Sequence, residues 1–237
     1  MTMPVSSLVW TEIIFDISYL VVVWGLVIAM LLRRPWVSKM DWPVAKRLIW
    51  SFGLLALGDS GHVGFRVVAY AYGGLEANPF LVGVGALSTA VTITFFYMLL
   101  VDVWRLRFNR PLGWVGWALL AAGVVRLCIL AFPQNNWSSV VAPYNWSLLR
   151  NGFLVIQGVG ILVLILRDAL ARQDKTFIWI GMMIVASYVF YAPVILFVDI
   201  MPILGMLMIP KTLAYVAIAF IAYFAMFRKP TRAANAV

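Results

Sequence analysis

Residues 54–70 read LLALGDSGHVGFRVVAY, an apolar run broken by Asp59, by the only histidine of the chain (His62) and by Arg66. Spaced i, i+3 and i+7, these three share one face of a helix. Leu57, Val63, Val67 and Val68 occupy the other faces. A charge at the centre of a bilayer costs about 2.5–3.5 kcal/mol on insertion scales. A helix of this pattern therefore turns its ionisable stripe toward protein or water and its remaining faces toward lipid.

The surrounding chain supports a membrane setting. Of 237 residues, 64% are hydrophobic and 11% charged, a balance that excludes a soluble globular domain and fits a polytopic helical bundle. Seven apolar segments are long enough to cross the hydrocarbon at 1.5 Å per residue: Leu8–Leu32, Leu48–Tyr72, Pro79–Val103, Leu112–Phe132, Ser147–Leu166, Phe177–Val198 and Ile203–Phe227. The expected fold class is an all-α integral membrane protein, one seven-helix domain over residues 1–237 with a short polar tail from 228. Glu12 and Asp16 interrupt the first apolar run and no basic region precedes it, so a cleaved signal peptide is not expected.

Cations set the expected orientation. Fourteen of the 18 Lys and Arg fall in the first, third and fifth connections and the tail, and none falls in the alternate connections. The positive-inside rule then places the N-terminus outside and the C-terminus in the cytoplasm of a multi-pass cell-membrane protein. The net charge of +9 is accounted for by topology and contact with anionic membrane lipid, not by nucleic acid. One cysteine and one histidine give neither a disulfide framework nor a metal site.

Arg66, Arg126, Arg150 and Lys211, the other four cations, lie inside the segments, toward the expected outer half. Glu12, Asp16, Asp59 and Asp199 lie at similar depth, with little comparable in the inner half. Ser88 and Thr92, Arg150 and Gln157, and Tyr188, Tyr191 and Asp199 form polar faces on the third, fifth and sixth segments. Four charges of each sign can close into a purely structural network, yet pairing rarely repays the desolvation of so many ions. The reading preferred from sequence is a water-filled pocket opening outward. Its candidate ligand-binding residues are Arg66, Arg126, Arg150, Asn151, Lys211, Asp199, Glu12, Asp16, Tyr191 and Tyr215. Arginine gives planar bidentate donors to carboxylate or phosphate, so the expected partner is an anionic amphiphile or small metabolite, for sensing or transport. The alternative is an enzyme acting on lipid, with His62 and Asp59 as acid–base pair. Ser60, in a protease-like Gly-Asp-Ser-Gly string, falls off the stripe; with Gly64 it forms a small-residue pair for packing. Pro193 and Pro210 are expected to kink the last two segments.

Lys211 within Met208-Ile-Pro-Lys-Thr-Leu-Ala-Tyr215, together with Phe190-Tyr-Ala-Pro-Val194, resembles the microbial rhodopsins. That resemblance implies retinal bound to Lys211 as a Schiff base, in a photoreceptor or pump. The chain departs from the family in three places. It has no carboxylate on the third segment before Asp102, Leu207 stands where the family has an acid, and the sixth segment lacks the pocket tryptophans. The combination of PQNNW, Arg150-Asn151 and MLMIPKTLAY is similar to multi-pass bacterial seven-helix proteins of no assigned activity. The uncharged segment 133–147 contains two Asn-Trp-Ser triplets and three aromatics, and reads as a lid over the pocket.

Overall fold

The structure is a computed structural model that describes residues 5–198 and 200–228. Those residues form seven long α-helices and no strand: α1 (Val5–Leu32), α2 (Trp42–Ala71), α3 (Pro79–Arg107), α4 (Gly113–Leu130), α5 (Tyr144–Ala171), α6 (Lys175–Phe197) and α7 (Met208–Met226). Six contain stretches long and apolar enough to cross a membrane. The exception is α2, which carries the ionisable stripe. Its length matches the others, but its polar residues lower its hydropathy. Consecutive helices pack together, α7 returns to α1 and α2, and α3 also touches α5.

Local chemistry explains the helix ends. Pro43 and Pro79 lie in the first turns of α2 and α3, where a missing N–H costs nothing. Three helices stop with a left-handed residue followed by a backbone bond that closes the last turn. Gly73 precedes Gly74 N–H to Ala69 O (2.9 Å), Asn109 precedes Arg110 N–H to Arg105 O (3.0 Å), and Gln173 precedes Asp174 N–H to Ala169 O (2.9 Å). Asp174 then caps α6 by accepting from Phe177 N–H at 3.3 Å. Pro193 lies inside α6 as expected. Pro210 does not kink a span: α7 begins at Met208, after a 3-10 turn over Pro202–Leu207, so this proline sits in a first turn.

Phe96 stands at the centre of the apolar core. Its ring meets Phe52, Tyr97 and Tyr215 edge-on at 5.4–5.8 Å, joining α2, α3 and α7. The closest seam is between α2 and α3. A Cβ on Gly58 would strike the Thr92 hydroxyl, one on Gly61 would stand 2.6 Å from Ser88 Oγ, and one on Gly85 3.1 Å from His62 Cα. Ser88 and Thr92 thus fill the glycine faces of α2. Gly64, expected to pack with Ser60, is exposed with open space above it. Ser60 instead accepts from Trp24 Nε1 of α1 at 2.9 Å.

The connections α1–α2, α3–α4 and α5–α6 gather at one end, tied by ion pairs. Asp102 binds Arg47 at 2.8 Å and Arg105 at 2.7 Å, and Arg107 binds Asp41 at 3.1 Å and Asp174 at 2.8 Å. Asp168, its side chain 2% exposed, takes Arg110 and Arg167 at 3.1 Å and Trp104 Nε1 at 2.9 Å. The polar structure of this end belongs to the connections and the helix ends, not to the middle of the spans. Its acids sit at the helix ends, beside the same cations that set the charge asymmetry.

Candidate functional site

A second polar cluster lies away from the basic end, with side chains from all seven helices. On α2, Asp59 accepts from Tyr19 Oη of α1 at 2.5 Å and from Thr89 Oγ1 of α3 at 3.2 Å. Across from it, Lys211 of α7 places its ammonium 4.5 Å from the Tyr191 ring centre and 5.7 Å from that of Tyr215. Lysine and aspartate interact through space, but among the described residues they form no direct ion pair. Cation–π contact with two tyrosines takes the place of one.

Arg126 of α4 is 2% exposed. Its Nε donates to Arg150 O at 2.9 Å and its Nη1 to Ala90 O at 2.5 Å and to Thr94 Oγ1. Tyr191, Tyr188, Tyr97 and the second guanidinium, Arg150, are within electrostatic reach. Carbonyl and hydroxyl dipoles hold this cation, and no described carboxylate touches it. Arg150 lies over the Trp137 ring at 4.6 Å and donates to Asn135 Oδ1 at 3.2 Å. Asn151 accepts from Tyr191 Oη at 3.2 Å. Tyr97 and Tyr215 share a hydrogen bond of 2.7 Å, and Tyr188 Oη donates to Leu154 O at 3.1 Å.

Most of the residues expected from sequence come together. Arg126, Arg150, Asn151, Tyr191, Lys211 and Tyr215 form one chain of contacts, and Asp59 acts on it through the field between its carboxylate and Lys211. Asp16 acts on Tyr19 from one turn away, and Arg66 acts on His62; both are half-buried. The Glu12 side chain and Asp199 lie outside the described residues. For the acid–base pair, the Asp59 oxygens accept from Tyr19 and Thr89, and His62 Nδ1 is buried with no hydrogen-bond partner among the described residues.

Sequence reasoning passed over Tyr19, Thr89, Thr94 and Tyr97. An aromatic or a threonine in an apolar helix looks like core or belt. Only its registry with a charged residue on a neighbouring helix separates the two, and a single chain does not reveal that registry. Tyr97, Tyr188, Tyr191 and Tyr215 stand among these charges. The segment expected as a lid is tied down. Asn135 donates to Ile129 O at 2.6 Å, Trp137 Nε1 donates to Leu130 O at 3.0 Å, and Gly83 of α3 packs directly against the Trp137 carbonyl. Two surface grooves lie elsewhere, one of about 380 Å³ beside Trp50 and Met98 and one of about 400 Å³ beside Arg34 and Trp42.

The chain matches no protein-family model, no curated protein and no solved structure. The reading of its function therefore rests on the site itself.

Proposed function

We propose that the protein spans the cell membrane seven times, N-terminus outside, and uses the Arg126–Arg150–Lys211 cluster to bind the anionic group of an amphiphile or small metabolite, for sensing or transport. The orientation follows from the concentration of cations at one end, which the positive-inside rule places in the cytoplasm. There α2 serves as the seventh span, its polar stripe covered by α1, α3 and α7.

One observation carries the ligand. Arg126 is buried and held by neutral dipoles, with Arg150 and Lys211 close enough to repel it. A buried ion without a counter-charge is costly, and an arriving carboxylate or phosphate supplies that charge with bidentate geometry. Native mass spectrometry of the protein, released gently from detergent, is expected to show an anionic adduct. Arg150→Ala, a change at a half-buried side chain, is expected to leave the bundle folded and to remove the adduct. An adduct that persists in Arg150→Ala counts against the reading.

A second reading, an enzyme acting on lipid, draws on the unpartnered His62 Nδ1 beside Asp59. It predicts turnover of labelled lipids by the wild type that His62→Ala abolishes, and equal inertness of both proteins removes it.

A further inference from the structure

The groove of about 380 Å³ between α2 and α3 is lined by Trp50, Leu54, Phe95, Met98 and Leu99, apolar throughout. Trp50 and Phe95 expose much of their surface, so in a bilayer this groove opens onto lipid. Met98 belongs to a second place as well. The position that a Cβ would take on Gly123 of α4 is 3.0 Å from Met98 Cγ and 2.7 Å from Gln157 Nε2 of α5. Thioether and amide therefore crowd the same point.

Gln157 is fully buried, and neither its Nε2 nor its Oε1 has a hydrogen-bond partner among the described residues. A buried amide is ordinarily bonded. Arg126 stands one turn along α4 from Gly123, and Thr94, which accepts from Arg126, stands one turn before Met98 on α3. A single flexible side chain thus separates an apolar groove from a free amide and a guanidinium that lacks a described carboxylate.

We propose that this groove and the Gln157–Arg126 pair behind Met98 form one site for a long-chain fatty-acid anion that enters from within the bilayer. The hydrocarbon chain lies in the groove, Met98 swings aside, and the carboxylate accepts from Gln157 Nε2 and Arg126. This rests on the anion-binding reading above and adds the ligand class and the route. Methionine suits the gate, because three rotatable bonds let it repack at low cost. The enclosure of Arg126 and Gln157 favours a compact two-oxygen head over a phosphodiester with glycerol behind it.

The test is saturable binding of radiolabelled palmitate to the full chain in non-ionic detergent, with methyl palmitate as neutral competitor. Gln157→Leu removes the head partner and Leu99→Trp fills the groove; each is expected to weaken palmitate binding at least tenfold, and methyl palmitate should not compete. Binding that neither variant changes is partition into apolar surface and overturns the proposal. If the native anionic adduct is lost in Arg150→Ala yet kept in Leu99→Trp, and palmitate does not displace it, the lateral route falls while anion binding stands. If neither palmitate nor any adduct is held, both readings fall. Should Leu99→Trp fail to fold, mid-chain brominated palmitate replaces it. Quenching is expected in the wild type and should be largely lost in Trp50→Phe; equal quenching in both also overturns the proposal.

Discussion

The two polar regions hold their charges in opposite ways. At the basic end every described aspartate is met by arginine: Asp102 by two, Asp168 by two and a tryptophan, Asp41 and Asp174 by a shared one. In the other cluster Arg126 is held by carbonyls and a hydroxyl, Lys211 by aromatic faces, and Asp59 by the hydroxyls of Tyr19 and Thr89. Charges cancelled by covalently fixed partners have little left to offer a ligand. Charges solvated by neutral dipoles keep their field. The first arrangement is that of a clamp and the second that of a receptor for an ion.

The largest stability effect is expected where the clamp is tightest. Asp168→Ala leaves the Trp104 indole N–H buried and unbonded and removes both arginine partners. Losing charge-assisted bonds and stranding a buried donor costs about 3 kcal/mol. Thermal unfolding in detergent should show the midpoint falling by on the order of 10 °C. A shift within error would mean that the basic end is not a clamp.

The next effect lies on the α2–α3 seam that joins the two regions. A methyl group at Gly58 collides with Thr92, and overpacking of this kind costs about 1–3 kcal/mol. Gly64→Ala is the internal control. With open space above it, it should stabilise by up to about 1 kcal/mol through the entropy that glycine loses on folding. If the two variants behave alike, the seam does not hold the helices in register.

The sequence made the helices legible and their partners much less so. The expected segment Ser147–Leu166 became Tyr144–Ala171, because an apolar run ends where hydrocarbon would end while the helix continues to its caps. The stripe at Asp59, His62 and Arg66 was readable from charge and period alone. What covers Asp59 was not, since Tyr19 and Thr89 lie on different helices, 40 and 30 residues away. The ion pairs at the basic end escaped for a different reason. Asp41, Asp102, Asp168 and Asp174 sit within runs of cations, and only the fold shows which cation each one takes. The glycine seam was misassigned by one face: Gly58 and Gly61 meet α3, while Ser60 turns toward Trp24.

The smallest stability effect is the sharpest test of the contrast. Arg126→Met replaces a buried guanidinium with an unbranched apolar side chain that can follow much of the same path. The charge gives up several kcal/mol of hydration, and three bonds to neutral groups recover only part of it. Ala90 and Arg150 lie within helices whose own ladders use their carbonyls, so neither oxygen is stranded by the change. The stability should therefore stay within about 1 kcal/mol of the wild type, or rise, while the anionic adduct disappears. A fall as large as that of Asp168→Ala would show that Arg126 pins helices together as the basic end does, and the division between clamp and receptor would collapse. A stable Arg126→Met protein that has lost its anion would show instead that this charge is kept at a cost to the fold, for what it binds.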